Sequence, residues 1–586
     1  MLFIQYNWVR SIKRFIDLFI NHLKANYINR INKLFLMKTL LTLLACLLFW
    51  QLPAQETITS SDWQADLKFL QQTIHNDYPF LFKKTTPVEF DAAVEVLHKE
   101  IPDLKAHEIS VGFARLIAMF KYGHTRMGWS NNPIKFRSLP LNLYHFSDGI
   151  YVQGVHQDYA DVLGAKVIKV GSTSVEQALK AIYPVVPAEN EQFFKAYGFL
   201  YLNSPEVLHA QGLIPELSDA VEFTFEKNGQ TFKRSLKALP VDQSVPRTYG
   251  YVQQKGEWLD VRNQSETPLY LKHLDKIYYY EYLPEQKTVY VRQSQVQDEP
   301  EENIPAFYTR VFDFIESNDV DRLVLDVRLN GGGNNYKNKA VVTRILASER
   351  INKIGSFVVI LGRRTFSACQ NLVNELHNYT NAIFVGEPTG ENINFYGDNN
   401  EVILPNTKTP VYLSFAWWQD KPQWENDDWL APHLAIDMSF EDYKTNKDPV
   451  LEAALTFDDN NFVLNPMQYM TDLFLAGEHE KLGIETSKMI QDPRYAFFDF
   501  EKELNTTGYN LLGRGQHEQA IAVFTFITQL FPESANTWDS LAEGYLKAGD
   551  HTKARELYEK ALAMDPTGAT GKNAKKMLNK IEGIKH

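Results

Sequence analysis

Beyond position 56 the chain opens with apolar residues at helical spacing. "SSDWQADLKFLQQTIHNDYPFLF" begins with serine cap candidates, and "TPVEFDAAVEVLHKEI" and "HEISVGFARLIAMFKYG" follow the same period. The pattern predicts helices across 56–127. From 138 the period shortens to β runs with turns, "LPLNLYHFSDGIYVQGV" and the strand–turn–helix "GAKVIKVGSTSVEQAL". "VEFTFEKNGQTFKRSLKAL" doubles back at Asn228-Gly229, the strongest short hairpin signal. Residues 275–455 then alternate strands ("KTVYVRQSQV", "RLVLDVRLN", "SFVVILG", "AIFVGE") with helices ("ENIPAFYTRVFDFIESN", "ACQNLVNELHN"), which predicts a βαβ layer and an α/β fold.

The C-terminal part repeats itself. A shift of 34 residues pairs Gly515 with Gly549, Ala520 with Ala554, Phe524 with Tyr558 and Pro532 with Pro566. The second copy reads Trp538-x2-Leu541-x3-Tyr545, which resembles the tetratricopeptide repeat. A degenerate helical pair is expected over 466–500. These changes of period divide the chain into an N-terminal extension and signal segment (1–54), a helical region (55–130), a β-rich domain with an insertion at about 183–216 (131–245), an α/β core (246–457) and a helical array (458–586). The strand–turn–helix within 131–245 resembles the peptide-binding heart of a PDZ domain.

Charge and leader signals narrow the partners. The formal charge is −12, yet residues 1–54 carry seven Lys/Arg against one Asp, so the body carries −18. Such acidity argues against nucleic acid and anionic membrane as partners. "MKTLLTLLACLLFWQLPAQE", starting at Met37, reads as a secretory signal cleaved near Ala54, its apolar run too short for a membrane span. A secreted or periplasmic location is expected, with residues 1–36 a basic extension upstream of the true start. "LLAC" (Leu43–Cys46) resembles a lipoprotein cleavage site, and only through such an anchor to the outer membrane would the protein touch lipid. After cleavage the single remaining cysteine, Cys369, permits no internal disulfide.

Three segments carry candidate chemistry. In "LGRRTFSACQN", Ser367 stands between a strand and a helix, as a nucleophile or as a plain N-cap. "LDVRLNGGGNN" places three glycines at a strand end, fit for an oxyanion hole of backbone N–H groups or for a tight turn. "FKYGHTRM" offers His124 just past an apolar helix. Cys369 is expected to pack. Arg328 and Arg364 are candidates to bind a substrate carboxylate or to pair internally. No His-x-x-x-His pair with an interposed Glu and no cysteine cluster occurs, so neither metal nor cofactor is expected.

Taken in order, "LVLDVRLNGGGNN", "RRTFSACQNLVNEL", "AIFVGEPTG" and "FEDYKTNKDPVLEAAL" resemble the carboxy-terminal-processing (tail-specific) and tricorn-type serine peptidases over about residues 60–455. The resemblance implies a crotonase- or ClpP-like β/α catalytic core with an N-terminal helical region and a PDZ-like domain. It implies Ser367 as nucleophile, with oxyanion donors at the backbone of Gly331 or Gly332 and at Ala368. The processing arm uses a lysine where this chain has Asn392, in "GEPTGENIN". An amide cannot accept the serine proton, so a Ser–Lys dyad is excluded there. The tricorn-like arm implies a histidine near the helical region, hence His124 as base. It also implies an orienting acid about sixty residues after the serine, hence Glu425, with Asp427 and Asp428 as rivals. The expectation is a serine endopeptidase acting on a peptide or protein substrate, its repeats docking a protein partner. The alternative is an inactive relative that binds a peptide or hydrophobic ligand.

Overall fold

The computed structural model describes residues 11–18, 58–129, 131–458, 460 and 462–583. Residues 11–18 are a short exposed helical segment within an N-terminal unit, Met1–Thr59. The expected signal segment from Met37 to Ala54 lies outside the described residues. The unit Ser60–His586 holds everything below. Among the described residues, no helix is long and apolar enough to cross a membrane.

At the centre is a six-stranded sheet in the order Tyr278–Leu283, Thr288–Gln293, Arg322–Asp326, Phe357–Leu361, Ile383–Gly386, Leu434–Ala435. The first pair is antiparallel and the others are parallel. Strands covered on both faces read as continuous apolar runs, and "FVVIL" and "IFVG" are buried at every position. Alternate residues face opposite layers. Val289, Val291, Leu323, Leu325, Phe357 and Val359 pack with helices Ile304–Ser317, Asn338–Ala347 and Ala368–Tyr379. Tyr290, Val324, Val358 and Ile360 instead join a layer running through helix Pro449–Thr456 into the C-terminal helices. The mixed α/β architecture is thus a parallel core sandwiched by helices, with a helical array appended.

The N-terminal region forms helices Ser60–Asp77, Pro87–Glu100 and Ala106–Ala118. Thr86 and Glu89 close a capping box at the start of the second. The β-rich region is a seven-stranded sheet. Its hairpin pairs Ala220–Lys227 with Gln230–Lys237 in a register that leaves Asn228 and Gly229 as the two-residue turn, at φ 53° and 73°. The two positive φ values are what a type I′ turn demands. The insertion folds into helices Glu191–Leu202 and Pro205–Ala210.

After the core, helices Pro466–Leu475 and His479–Gln491 form the degenerate pair, ending at Gln491 rather than 500. Helices Phe500–Gly513, His517–Leu530, Ala535–Lys547, His551–Met564 and Ala569–Gly583 complete the array. The equivalent residues Ala520 and Ala554, Phe524 and Tyr558 are all fully buried, as expected where each repeat covers its neighbour. Trp429 of the core meets Phe497 edge-on at 6.1 Å, and Lys502 pairs with Asp427.

Candidate active site

Ser367 sits at the junction of strand Phe357–Leu361 and helix Ala368–Tyr379, with φ 58° and ψ −129°. An L-residue adopts positive φ only when its surroundings hold it there, at a cost of order 1–3 kcal/mol, and such residues cluster at functional sites. The surroundings here are specific. The Phe366 N–H donates to the Asn330 carbonyl (3.1 Å), the Cys369 N–H to Phe366 O (3.1 Å) and the Ser367 N–H to Glu391 Oε2. The Ser367 side chain makes no cap hydrogen bond. Its hydroxyl is therefore left for other work, in a half-buried position.

The glycine run lies against this turn. Gly332 has φ +96°, and a Cβ there would lie 2.5 Å from Ser367 Cβ and 2.8 Å from the Ala368 nitrogen. Any side chain at 332 would fill the space beside the serine. The Gly332 N–H, however, is engaged by Asn330 Oδ1 at 3.0 Å. Of the two alternatives, Gly332 is thus the packing member and not a free donor. Gly331 is exposed, with nothing near its α-carbon face. The Ala368 N–H, first in its helix, has no acceptor within the helix.

His124 reaches the same place from the other side of the fold. Thr125 Oγ1 donates to Ser414 Oγ (2.8 Å) and accepts from the Ser414 N–H (3.1 Å). Arg126–Met127 then pairs with strand Pro410–Trp418 of the hairpin that follows Glu391. The imidazole stacks on Phe366, the residue before the serine, with centroids 4.9 Å apart and planes at 20°. Burial, helped by the Arg126 charge, lowers its pKa to about 4, so the ring is a free base at neutral pH. Its Nε2 lies 3.7 Å from Glu391 Oε1, and neither atom has a hydrogen-bond partner. The serine hydroxyl and the imidazole are not hydrogen-bonded to each other.

Glu425, the expected orienting acid, does not lie against the imidazole. Glu425 ends an exposed 3₁₀ turn, Gln423–Glu425, where its carboxylate pairs with Lys421 at 3.4 Å. A polar loop of "QWENDD" has too little apolar content to be drawn inside. Asp427 pairs with Lys502 and Asp428 lies 4.0 Å from Lys84, so neither rival reaches the ring.

Two buried carboxyls hold the site together instead, and sequence reasoning missed both. Glu391 accepts from the Ser367 N–H and turns its other oxygen toward the imidazole at 3.7 Å. Glu189, at the start of the insertion, accepts from the Gly123 N–H (2.8 Å), the Asn392 N–H (3.1 Å) and Asn392 Nδ2 (2.6 Å). Burial, reinforced by the Glu189 charge, raises Glu391 well above the ordinary carboxyl range. Burial raises Glu189 to about 7, with Lys84 pulling the other way. Like charges in one buried pocket do not both ionise, so the pair keeps a proton at neutral pH. The available signal was Glu391 itself, a lone charge in the uncharged run "PTGENIN". Glu189 in "VPAENEQ" had none.

The remaining candidates separate cleanly. Cys369 is fully buried, and burial pushes its thiol far up. Arg328 is buried between Asp326 and Asp448, an internal ion pair. Arg364 lines a small cleft with Lys195, Arg247 and Arg363. Arg363 is neutralised by Glu387. Arg364 donates to the Ala196 carbonyl, and Arg247, whose pKa burial and Arg364 lower to about 10, donates to Asn142 and Leu141. Neither has a carboxylate partner among the described residues.

A tetratricopeptide-repeat family model matches residues 535–567. No curated protein sequence matches the chain. Among solved structures the chain is similar to mature CPAF complexed with lactacystin, at 12% identity over 66% of this chain and 96% of that one, with a TM-score of 0.47. It is also similar to the photosystem II D1 C-terminal processing protease (14%, 64% and 93%, 0.33) and to the tricorn protease (13%, 68% and 36%, 0.33). Likeness of this extent says nothing of chemistry, which rests on the site itself.

Proposed function

We propose that the protein is a serine endopeptidase with Ser367 as nucleophile. The observation that carries this is the uncapped serine at φ 58°, its N–H held by a glutamate whose other oxygen lies 3.7 Å from a half-buried, neutral imidazole. Ser367 Oγ attacks the peptide carbonyl carbon and its proton passes to His124. The oxyanion is received by the N–H groups of Ala368 and Gly331. Collapse expels the amine, which takes the proton from His124, and water then cleaves the acyl-enzyme through the same base. Glu391, not Glu425, orients the imidazole; as the more strongly raised member of the pair it carries the shared proton at rest, while Glu189 accepts from Gly123 and Asn392. Closing the 3.7 Å gap by less than an ångström makes the His124–Glu391 hydrogen bond, and catalytic contacts are commonly long before substrate binds.

Arg364, lacking an acid partner three residues before the serine, suits a substrate carboxylate, with Arg247 behind it. The leader-like segment supports export, and the repeats a protein partner. Labelling by a fluorophosphonate, lost in Ser367→Ala, tests the reading together with hydrolysis of unstructured peptides. A second reading, ligand binding without hydrolysis, is favoured by the missing serine–histidine contact. An unlabelled Ser367 in folded protein would replace the first reading with the second.

A further inference from the structure

Far from the serine, three metal-binding side chains meet. His107 and Glu108 stand at the start of helix Ala106–Ala118, and His209 is next to last in helix Pro205–Ala210. His107 Nε2 lies 3.0 Å from His209 Nδ1, and His209 Nδ1 lies 3.5 Å from Glu108 Oε1. The three ligand atoms all fall within 4.8 Å of one another. In a tetrahedral zinc site with metal–ligand bonds of about 2.0–2.1 Å, donor atoms stand about 3.3 Å apart. The observed spacings bracket that value.

Hydrogen bonding alone serves this cluster poorly. If His107 donates its Nε2 proton to His209 Nδ1, then Nδ1 presents a lone pair, and Glu108 Oε1 faces that lone pair at 3.5 Å with another. If Nδ1 instead carries the proton, it is shared between Glu108 and a His107 nitrogen. Either way, donor atoms outnumber the protons between them. A cation satisfies all three at once. The His209 and Glu108 side chains are 11% and 20% exposed, enough for an ion to enter and for water to fill a fourth position.

We propose that His107, Glu108 and His209 bind one divalent transition-metal ion of the zinc class, as a staple between helices Ala106–Ala118 and Pro205–Ala210. Two imidazoles with one carboxylate favour zinc over magnesium or calcium, which take oxygen sets. No local motif announced the site, because His107 and His209 are 102 positions apart. The staple sits where it can matter. Helix Ala106–Ala118 leads at its far end into the His124 loop, and helix Pro205–Ala210 closes the insertion that Glu189 opens. Away from the cluster, the two helices share apolar packing through Ile109, Val111, Val207 and Leu208. The proposal does not depend on the peptidase reading.

The test uses the full-length chain after chelator treatment, titrated with Zn²⁺ in competition with a chromophoric chelator, and with Co²⁺ for its visible spectrum. The expected result is one tight equivalent, a tetrahedral cobalt band and a Zn²⁺-dependent rise in melting temperature. The same rise is expected in Ser367→Ala, because the effect is independent of turnover. His209→Ala should lose the equivalent and the rise, and Glu108→Gln, which keeps shape and removes charge, should weaken both. Absence of a tight equivalent in the parent overturns the proposal. So does an equivalent of unchanged affinity in folded His209→Ala, which would point to other imidazoles such as the parallel pair His377 and His433. Should His209→Ala not fold, unchanged affinity in Glu108→Gln is equally fatal.

Discussion

The turn that carries Ser367 and the loop that carries His124 are made in opposite ways. The serine turn is a product of its own layer: strand Phe357–Leu361 delivers it, helix Ala368–Tyr379 receives it, and Asn330 and Gly332 from the neighbouring strand end pin it. The histidine loop owes little to its neighbours in sequence. Ser414, the strand Pro410–Trp418, Glu189 and the Phe366 ring hold it in place. A strained position needs a rigid local frame. A proton acceptor needs only the right neighbours, and distant segments can supply those.

If this contrast is right, the two residues should fail together in chemistry and apart in stability. Ser367→Ala is expected to lower peptide turnover by roughly 10³-fold or more, and His124→Ala comparably, with the double variant no worse than either. Additive losses in single-turnover assays would separate the two residues mechanistically. Stability should diverge, because Ser367→Ala removes a hydroxyl with no structural bond, whereas His124→Ala empties a slot between Phe366 and Phe395.

Next in size is the buried carboxylate. Glu391→Gln should cut kcat by roughly 10²-fold, on the scale of a lost general-base contribution, while leaving the fold intact. Turnover near the parent level would return the orienting role to another group. Gly332→Ala tests the frame instead of the chemistry. Positive φ and the 2.5 Å approach to Ser367 Cβ should cost about 1–3 kcal/mol in denaturant unfolding and slow fluorophosphonate labelling. An alanine tolerated without loss would mean that the turn has slack.

The pH response should show the two sides pulling in opposite directions. Glu189 and Glu391 are raised when folded, so their contribution is full below the unfolded range near 4.5 and is lost as pH rises through about 7 for Glu189. His124 is lowered when folded. Stability falls from pH 6.5 toward about 4 as the unfolded imidazole takes a proton that the buried one refuses. The two windows overlap between about pH 4.5 and 6.5, where the opposite trends offset each other, so melting temperature should fall mainly above pH 6.5. Glu391→Gln should flatten that alkaline fall, whereas His124→Ala should leave it and make the protein gain stability as pH drops below 6.5. A parent profile flat above pH 6.5 would contradict the shared-proton pocket. The smallest effect is reserved for Glu425→Gln, under threefold in kcat/KM, because its half-exposed carboxylate pairs with the buried Lys421 and not with the imidazole.

Much of this architecture was legible in one dimension. Buried parallel strands announce themselves as apolar runs, the Asn228-Gly229 hairpin as a turn signal, and the helical array as a 34-residue period. Ser367, His124 and the glycine run also emerged from the sequence, through short segments in a familiar order. The acid did not. A spacing rule pointed to Glu425, in a loop too polar to be buried, while the carboxyl beside the ring was Glu391, one residue before the position inspected for a lysine. The zinc-type cluster was equally silent.

The sequence by itself determined the layers, because local period decides which face of each strand or helix is buried. Only the tertiary structure decided which carboxyls are desolvated. Glu189 meets Gly123 and Asn392 across 66 and 203 positions, and contacts between such distant segments leave no periodic trace. Burial, not residue type, then separates a proton-holding glutamate from a surface one.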